Sequence, residues 1–186
     1  MTRTPEDIQD ELLVLQCQDG DAEALKTLIG RWQPRLGALA WRLTGQREAA
    51  RDVVQDAWLA IVRGFKCLDD PAAFRTWAYR IVSHKCADWT RRRVVRRRVT
   101  AELHAESRAA SDDSCRAAET ADDNARVRAV LDSLPEEFRA MLVLYYLEEM
   151  NVADIARVLD VPEGTVKSRL FHARKKLKES LERKES

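Results

Sequence analysis

Three groups of side chains in this sequence are placed to do chemistry. Asp52, Gln55 and Asp56 stand at i, i+3 and i+4, so a helix would put two carboxylates and an amide on one face. Paired carboxylates of this kind can hold a metal or move a proton, line a solvated surface, or dock a basic protein partner. No His, third acid or Gly-rich loop accompanies them at usable spacing, so docking is favoured over catalysis. A second group mixes rings with cations: Arg75, Thr76, Trp77, Tyr79, Arg80, His84 and Lys85. Aromatic faces stack on unstacked bases while neighbouring cations meet phosphates, the combination that binds single-stranded nucleic acid. Trp77 keeps step with apolar neighbours, so core packing is its default role, whereas Tyr79 and Trp89 fall off that stripe. The third group, Thr165, Lys167, Ser168, Arg169 and His172, is rich in donors long enough to reach base edges in a major groove.

Metal and thiol chemistry have little support. Cys17, Cys67, Cys86 and Cys115 are far apart, without a Cys-x-x-Cys or a zinc-type Cys/His pair. Free thiols in a reducing cytosol are expected, with no metal and no cofactor.

The elements that must carry these groups read as helices. From Asp21 to Leu43, apolar residues recur at three- and four-residue steps (Leu25, Leu28, Ile29, Trp32, Leu36, Leu39, Leu43), with Pro34 expected to kink or interrupt the run. A second helix is predicted from Arg47 to about Phe65, burying Val54, Trp58, Ile61, Val62 and Phe65. Asp70-Pro71 is a start signal, a carboxylate cap followed by a ring with no N–H to satisfy. The third helix runs on to about Arg93 and buries Phe74, Trp77, Ala78, Ile81 and Val82. Periodicity collapses from Val99 to Asp123, a flexible linker by composition, whose roughly 25 residues would extend on the order of 80 Å. Order returns near Asn124, and Ser133-Leu134-Pro135-Glu136 reads as a capping box before a further helix. Asn151 caps a short helix bearing Val152, Ile155, Ala156 and Leu159. A tight connection through Pro162 then leads to a longer helix with Val166, Leu170, Ala173 and Leu177 inward. That is a helix-turn-helix pattern, and Arg174, Lys175, Lys176 and Lys178 extend it as a phosphate clamp.

Composition sets the frame for these groups. Of 186 residues, 45% are hydrophobic and 34% charged, and only six Gly and five Pro occur, too few for a loop-rich β protein of this length. The net charge of +1 conceals segregation: nine basic residues against one acid from Arg75 to Arg98, three against seven from Glu102 to Arg126, and eight against two from Gly164 to Lys184. Two basic islands flanking an acidic stretch predict two polyanion-binding modules on a linker. No apolar run approaches a membrane span and the first residues do not resemble a signal peptide, so a cytoplasmic protein with no membrane insertion is expected. The expected fold is all-α: two small helical domains joined by a flexible acidic linker, the second a helix-turn-helix. The domains are residues 1–98 and 124–186, and the linker is 99–123.

Three stretches, Asp52-Val53-Val54-Gln55-Asp56-Ala57-Trp58, Phe74-Arg75-Thr76-Trp77-Ala78-Tyr79-Arg80-Ile81 and Gly164-Thr165-Val166-Lys167-Ser168-Arg169-Leu170, resemble in order and spacing the extracytoplasmic-function (ECF) group of bacterial sigma-70 factors. The resemblance implies a promoter-specificity subunit of RNA polymerase, not an enzyme and without a small-molecule substrate, serving a stress or envelope response. It places Asp52, Gln55 and Asp56 on the surface for core RNA polymerase. Lys66, Asp69, Arg75, Thr76, Trp77, Tyr79, Arg80, His84 and Lys85 fall on the minus-ten recognition and melting region. Thr165, Lys167, Ser168, Arg169, His172 and Lys176 go to the minus-thirty-five element, and an anti-sigma factor is the implied regulator. Asp160 stands where the family often has Gly, and His84-Lys85 where Arg-Asn is usual. The alternative is a stand-alone helix-turn-helix regulator, with a metal-dependent nuclease using Asp52 and Asp56 as the rival of another class.

Overall fold

A computed structural model describes residues 4–103 and 135–185, all of it helix and connecting turns. The helices are α1 (Pro5–Gln18), α2 (Ala22–Thr44), α3 (Arg47–Gly64), α4 (Phe74–Leu103), α5 (Glu136–Leu142), α6 (Val152–Leu159) and α7 (Glu163–Glu185). Short 3-10 turns at Phe65–Cys67 and Pro71–Ala73 join α3 to α4, and a π-helical turn at Val143–Leu147 prolongs α5. The greater part of the expected linker, the helix expected from Asn124, and Ser133 lie outside the described residues. The cap residue of α5 is Pro135.

Local signals account for most boundaries. Asp21 caps α2 by accepting from the amides of Glu23 and Ala24, and Gly45 ends it in the left-handed region at φ 70°. Asp70 accepts from Ala72 N, as its place before Pro71 predicts. Pro34 does not interrupt α2, which runs unbroken over 23 residues. The bond lost to the carbonyl of Gly30 is outweighed by burial on both sides of it, Leu28 and Trp32 before and Leu36, Leu39 and Leu43 after. Nor does α4 stop near Arg93; it continues to Leu103, because Arg is a good helix former and nothing in the run breaks it. α1 was not anticipated. Its start is nonetheless written in the sequence, with Thr4 and Asp7 forming a reciprocal capping box around Pro5.

Helices α1–α4 pack around an aromatic centre. Trp32 meets Phe74 edge-on at 5.2 Å and Tyr79 at 5.9 Å, and Phe65 stacks on Phe74 at 6.1 Å. Such pairs add about 0.5–1.5 kcal/mol each beyond their burial. Asp10 of α1 is buried beside them, accepting from Trp32 Nε1 at 3.0 Å and from Arg31 Nε at 2.7 Å, which clamps α1 to α2. Two expectations of the core stripe fail here. Val62 faces solvent, and Tyr79, expected off the stripe, is 1% exposed. Residue 79 follows 78 by only 100° of helix, and α4 packs against α2, α3 and α6.

The second group, α5–α7, does not stand apart. α6 lies along α4, and the buried residues of both groups form one connected core. Glu148 joins them. Its Oε1 accepts from Arg42 Nη1 of α2 at 2.8 Å, its Oε2 accepts from the Tyr79 hydroxyl of α4, and its carbonyl accepts from Arg75. Arg80 and Asp160 add an exposed ion pair at 3.5 Å.

Burial raises the Tyr79 phenol pKa above its ordinary 10.0, and the hydrogen bond to Glu148 and that carboxylate's charge raise it further against the pull of Arg75 and Arg35. A folded pKa above the unfolded one means that this contribution is complete below pH 10.0 and is lost as pH rises beyond it. Urea melts between pH 8 and 11 should therefore show stability falling at the alkaline end, with a shallower fall for Tyr79→Phe. Equal slopes in the two proteins would contradict the contact.

Candidate nucleic-acid and polymerase interface

The acidic face on α3 forms as the spacing requires. Val53, Val54, Ala57, Trp58 and Ile61 are buried, which turns Asp52, Gln55 and Asp56 outward. One turn further along lie Leu59 and Val62, both exposed. The surface is thus two carboxylates and an amide followed by two aliphatic side chains, which is the composition of a helix-docking face rather than of a purely solvated one. Sequence reasoning missed Leu59 and assigned Val62 to the core; their exposure follows from Trp58 and Ile61 taking the inward positions.

The basic and aromatic set on α4 divides. Lys66, Asp69, Arg80 and His84 are exposed, and Arg75, Thr76, Trp77 and Lys85 are half-buried. Trp77 leans on Phe65 and Phe74, with centroids at 6.2 and 6.3 Å, and its ring lies over Gly64, where a Cβ would come within 2.8 Å. That glycine is therefore needed for the ring's position. Tyr79 does not share the surface: its ring packs in the core against Trp32 and its hydroxyl is held by Glu148. The loop carrying Lys66 and Asp69 is tied to α1, for Gln18 Nε2 donates to the carbonyls of Phe65 at 2.9 Å and Leu68 at 2.7 Å. Gln18 was not singled out from the sequence, and only the contact across the bundle shows its role. Further along α4, Arg93 lies over the Trp89 ring at 5.3 Å.

The helix-turn-helix is α6 and α7. Asn151 Oδ1 accepts from Asp154 N at 2.8 Å and so starts α6. Asp160 ends α6 in the left-handed region at φ 55°, its N–H donating to Ala156 O. Asp tolerates that conformation better than most residues, so the place where Gly is common keeps its geometry. Val166, Leu170 and Ala173 are buried, while Lys167, Ser168 and His172 are exposed and Thr165 and Arg169 are half-buried on the flank. Phe171, exposed between Leu170 and His172, adds an aromatic to that surface which the sequence reading passed over. The basic tail is partly engaged: Arg174 Nε donates to the Tyr146 hydroxyl at 2.7 Å, and Lys176 Nζ lies 4.9 Å from the centroid of Phe138. Among the described residues no three His, Cys, Asp or Glu side chains come together as a metal site would need. Cys17 is half-buried, Cys67 exposed and Cys86 buried, and none of the three is in a disulfide. Among the same residues, no helix is long and apolar enough to cross a membrane.

Similarity to known proteins matches this layout. The family model for sigma-70 region 2 matches residues 28–96, which cover most of α2, all of α3 and most of α4, and the model for sigma-70 region 4 matches residues 124–177, which cover α5, α6 and most of α7. The chain is 31% identical over 182 residues to the RNA polymerase sigma-H factor of Pseudomonas aeruginosa, covering 94% of both proteins. It is 29% identical over 186 residues to the ECF RNA polymerase sigma-E factor of Haemophilus influenzae, covering 95% of this chain and 97% of that one. The fold resembles the solved structure of CnrH in complex with the cytosolic domain of CnrY, with a TM-score of 0.69 and 26% identity over 94% of this chain and 97% of CnrH. With both regions matched in order and relatives aligned nearly end to end, the chain belongs to the sigma-70 family, as an ECF sigma factor.

Proposed function

We propose that this ECF sigma factor binds core RNA polymerase through the Asp52, Gln55, Asp56, Leu59 and Val62 face of α3 and directs promoter-specific initiation, in a stress or envelope response. The observation that carries the reading is that acidic and aliphatic face: a stand-alone regulator needs only DNA surfaces, whereas this chain also exposes a surface suited to a basic protein. Residues 1–98 form the polymerase-binding and minus-ten domain, 99–123 the linker and 124–186 the minus-thirty-five domain. Lys66, Asp69, Arg75, Thr76, Trp77, Arg80, His84 and Lys85 engage the opened minus-ten element, with Tyr79 supporting that surface from beneath. Thr165, Lys167, Ser168, Arg169 and His172 meet the minus-thirty-five duplex, and Lys176 holds its backbone. All of these are binding roles, and the protein breaks no bond itself. It works in the cytoplasm, where the polymerase and promoter are. An anti-sigma factor is the expected regulator, and the similarity to CnrH, solved with the cytosolic domain of CnrY, supports a protein partner of that kind.

Run-off transcription with purified core polymerase tests the reading. Promoter-specific transcripts that require this chain support it, and operator binding by the chain alone with no effect on core polymerase would favour the regulator. Reversing Asp52 and Asp56 to Lys should abolish capture of the core enzyme while the helical signal is kept, since close interfacial charge pairs couple by about 1.5–7 kcal/mol. Undiminished capture by the folded double variant would remove α3 as the docking face.

On α7 the roles of Arg169 and Lys176 separate by specificity and salt. Arg169→Ala should cost about 1–3 kcal/mol and relax one promoter position, whereas Lys176→Ala should weaken all sequences alike and lower the salt slope by about one. Binding to promoter variants at two salt concentrations distinguishes them. A uniform loss for both would make Arg169 a phosphate contact and shift base reading to Thr165, Ser168, His172 or DNA shape.

A further inference from the structure

We infer that the far half of α4 is a separate DNA site, in which Arg91, Arg92 and Arg96 grip phosphates of the duplex just upstream of the opened minus-ten element. The inference rests on the reading of α4 as the minus-ten helix and extends it past the residues assigned there. α4 is a single helix from Phe74 to Leu103, so its two halves keep a fixed direction relative to each other. From residue 85 to residue 96 five cations stand against one acid. That acid, Asp88, is taken by Arg91 at 2.6 Å, and the run stays strongly positive. Arg91, Arg92 and Arg96 are all exposed. Arg92 and Arg96 also repel each other at i, i+4, a cost that a polyanion laid across them removes.

The cations fall into two rows. Arg80, His84 and Arg91 recur at about one and three turns and share a face, while Lys85, Arg92 and Arg96 recur at about two and three turns on the face beside it. Both rows begin in the minus-ten set and run on beyond it. From Lys85 to Arg96 the second row covers about 16 Å of helix, the length of about five base pairs at 3.4 Å each. The root of this arm is anchored. Arg93 lies over the Trp89 ring at 5.3 Å, and the Gln46 side-chain oxygen, turned toward it, accepts from both terminal nitrogens at 3.1 and 3.2 Å. Gln46 is the cap residue of α3, yet its side chain makes no capping bond. It ties α4 to the turn between α2 and α3 instead, so the exposed arginines stand on a fixed base.

The chemistry selects a duplex backbone over the alternatives. Trp89 is the one ring between residues 85 and 96, and it is half-buried with Arg93 over its face, so bases have nothing there to stack on. Val94 and Val95 are exposed as well, but two valines offer far less apolar surface than a protein interface of ordinary size. Chain order gives the direction. The residues after α4 lead to the group proposed to read the minus-thirty-five duplex, so the far end of α4 points to the upstream side. Phosphate contacts there would add affinity and register without base preference.

Binding of forked promoter DNA by core polymerase carrying the full chain tests this, with Arg92→Gln/Arg96→Gln beside the unaltered protein. Both substitutions lie outside the minus-ten and polymerase sets, and circular dichroism checks that the variant is helical. Loss of two phosphate contacts should lower the salt slope by about 1.8, so that from about 50 to 200 mM salt the variant loses about twelvefold less affinity than the unaltered protein. Neutral methylphosphonates in the five base pairs upstream of the minus-ten element should weaken the unaltered protein and leave the variant unmoved. Equal salt slopes, or equal penalties from the methylphosphonates, would overturn the inference while leaving the promoter reading in place. A variant that fails to capture core polymerase would make the arm a protein surface and overturn it too. A complex with the unaltered chain that binds no promoter DNA would overturn the promoter reading, and this inference with it.

Discussion

A carboxylate taken nine-tenths out of water must be met by donors, because an unpaired buried charge costs more than the surrounding contact returns. Among the described residues, Glu148 meets that requirement with Arg42 and Tyr79, both from the other half of the molecule. Arg42 is held in place by α2, and Tyr79 by the aromatic centre in which Trp32, Phe65 and Phe74 also sit. The position of the helix-turn-helix relative to the first four helices therefore depends on the packing of the first core. Asp10 belongs to the same chain of dependence, for it satisfies the indole N–H of Trp32 and fixes α1 across the bundle. Buried polar groups set the geometry here, and the apolar residues around them supply most of the favourable free energy.

The helices were legible where apolar spacing and caps coincide. Leu28, Trp32, Leu36 and Leu43 mark the inner face of α2, Asp70-Pro71 and Asn151 mark starts, and Val166, Leu170 and Ala173 mark the inner face of α7. The exposed carboxylates of α3 were legible for the same reason, since the burial of Val54 and Ile61 dictates which way Asp52 and Asp56 point. Where a helix has neighbours on several sides, one stripe no longer describes it. Tyr79 belongs to a face of α4 that Trp32 and Glu148 make interior, and Glu148 lies about 70 residues away in the chain. α1 escaped notice because it exposes Ile8, Leu12 and Leu15 while burying Asp10 beside Leu13 and Val14, which blurs the amphipathic pattern. Pro34 and the end of α4 were misjudged because local propensities of a few kcal/mol or less yield to packing, or to a continuing run of good helix formers.

The site follows a division of labour that the sequence segregates by charge. On the proposed function, acidic and aliphatic side chains on α3 are for a protein, cations and the Trp77 ring on α4 for single strands, and donors on α7 for a duplex. Each surface is rigid because its opposite face is core. What remains adjustable is the contact between α4 and α6, where partly exposed ion pairs and an imperfectly satisfied arginine surround one buried carboxylate.

The two groups touch in the structure, whereas engaging two promoter elements at once, as proposed, requires them to separate on the polymerase. Single-molecule energy transfer between a dye on Cys67, which is exposed, and one on Glu163→Cys at the start of α7, with Cys17 and Cys115 replaced by Ser, measures it directly. High transfer in the free protein that falls to low transfer when core polymerase is added is the predicted result. Low transfer before the polymerase is added, or high transfer that persists on it, would contradict the account.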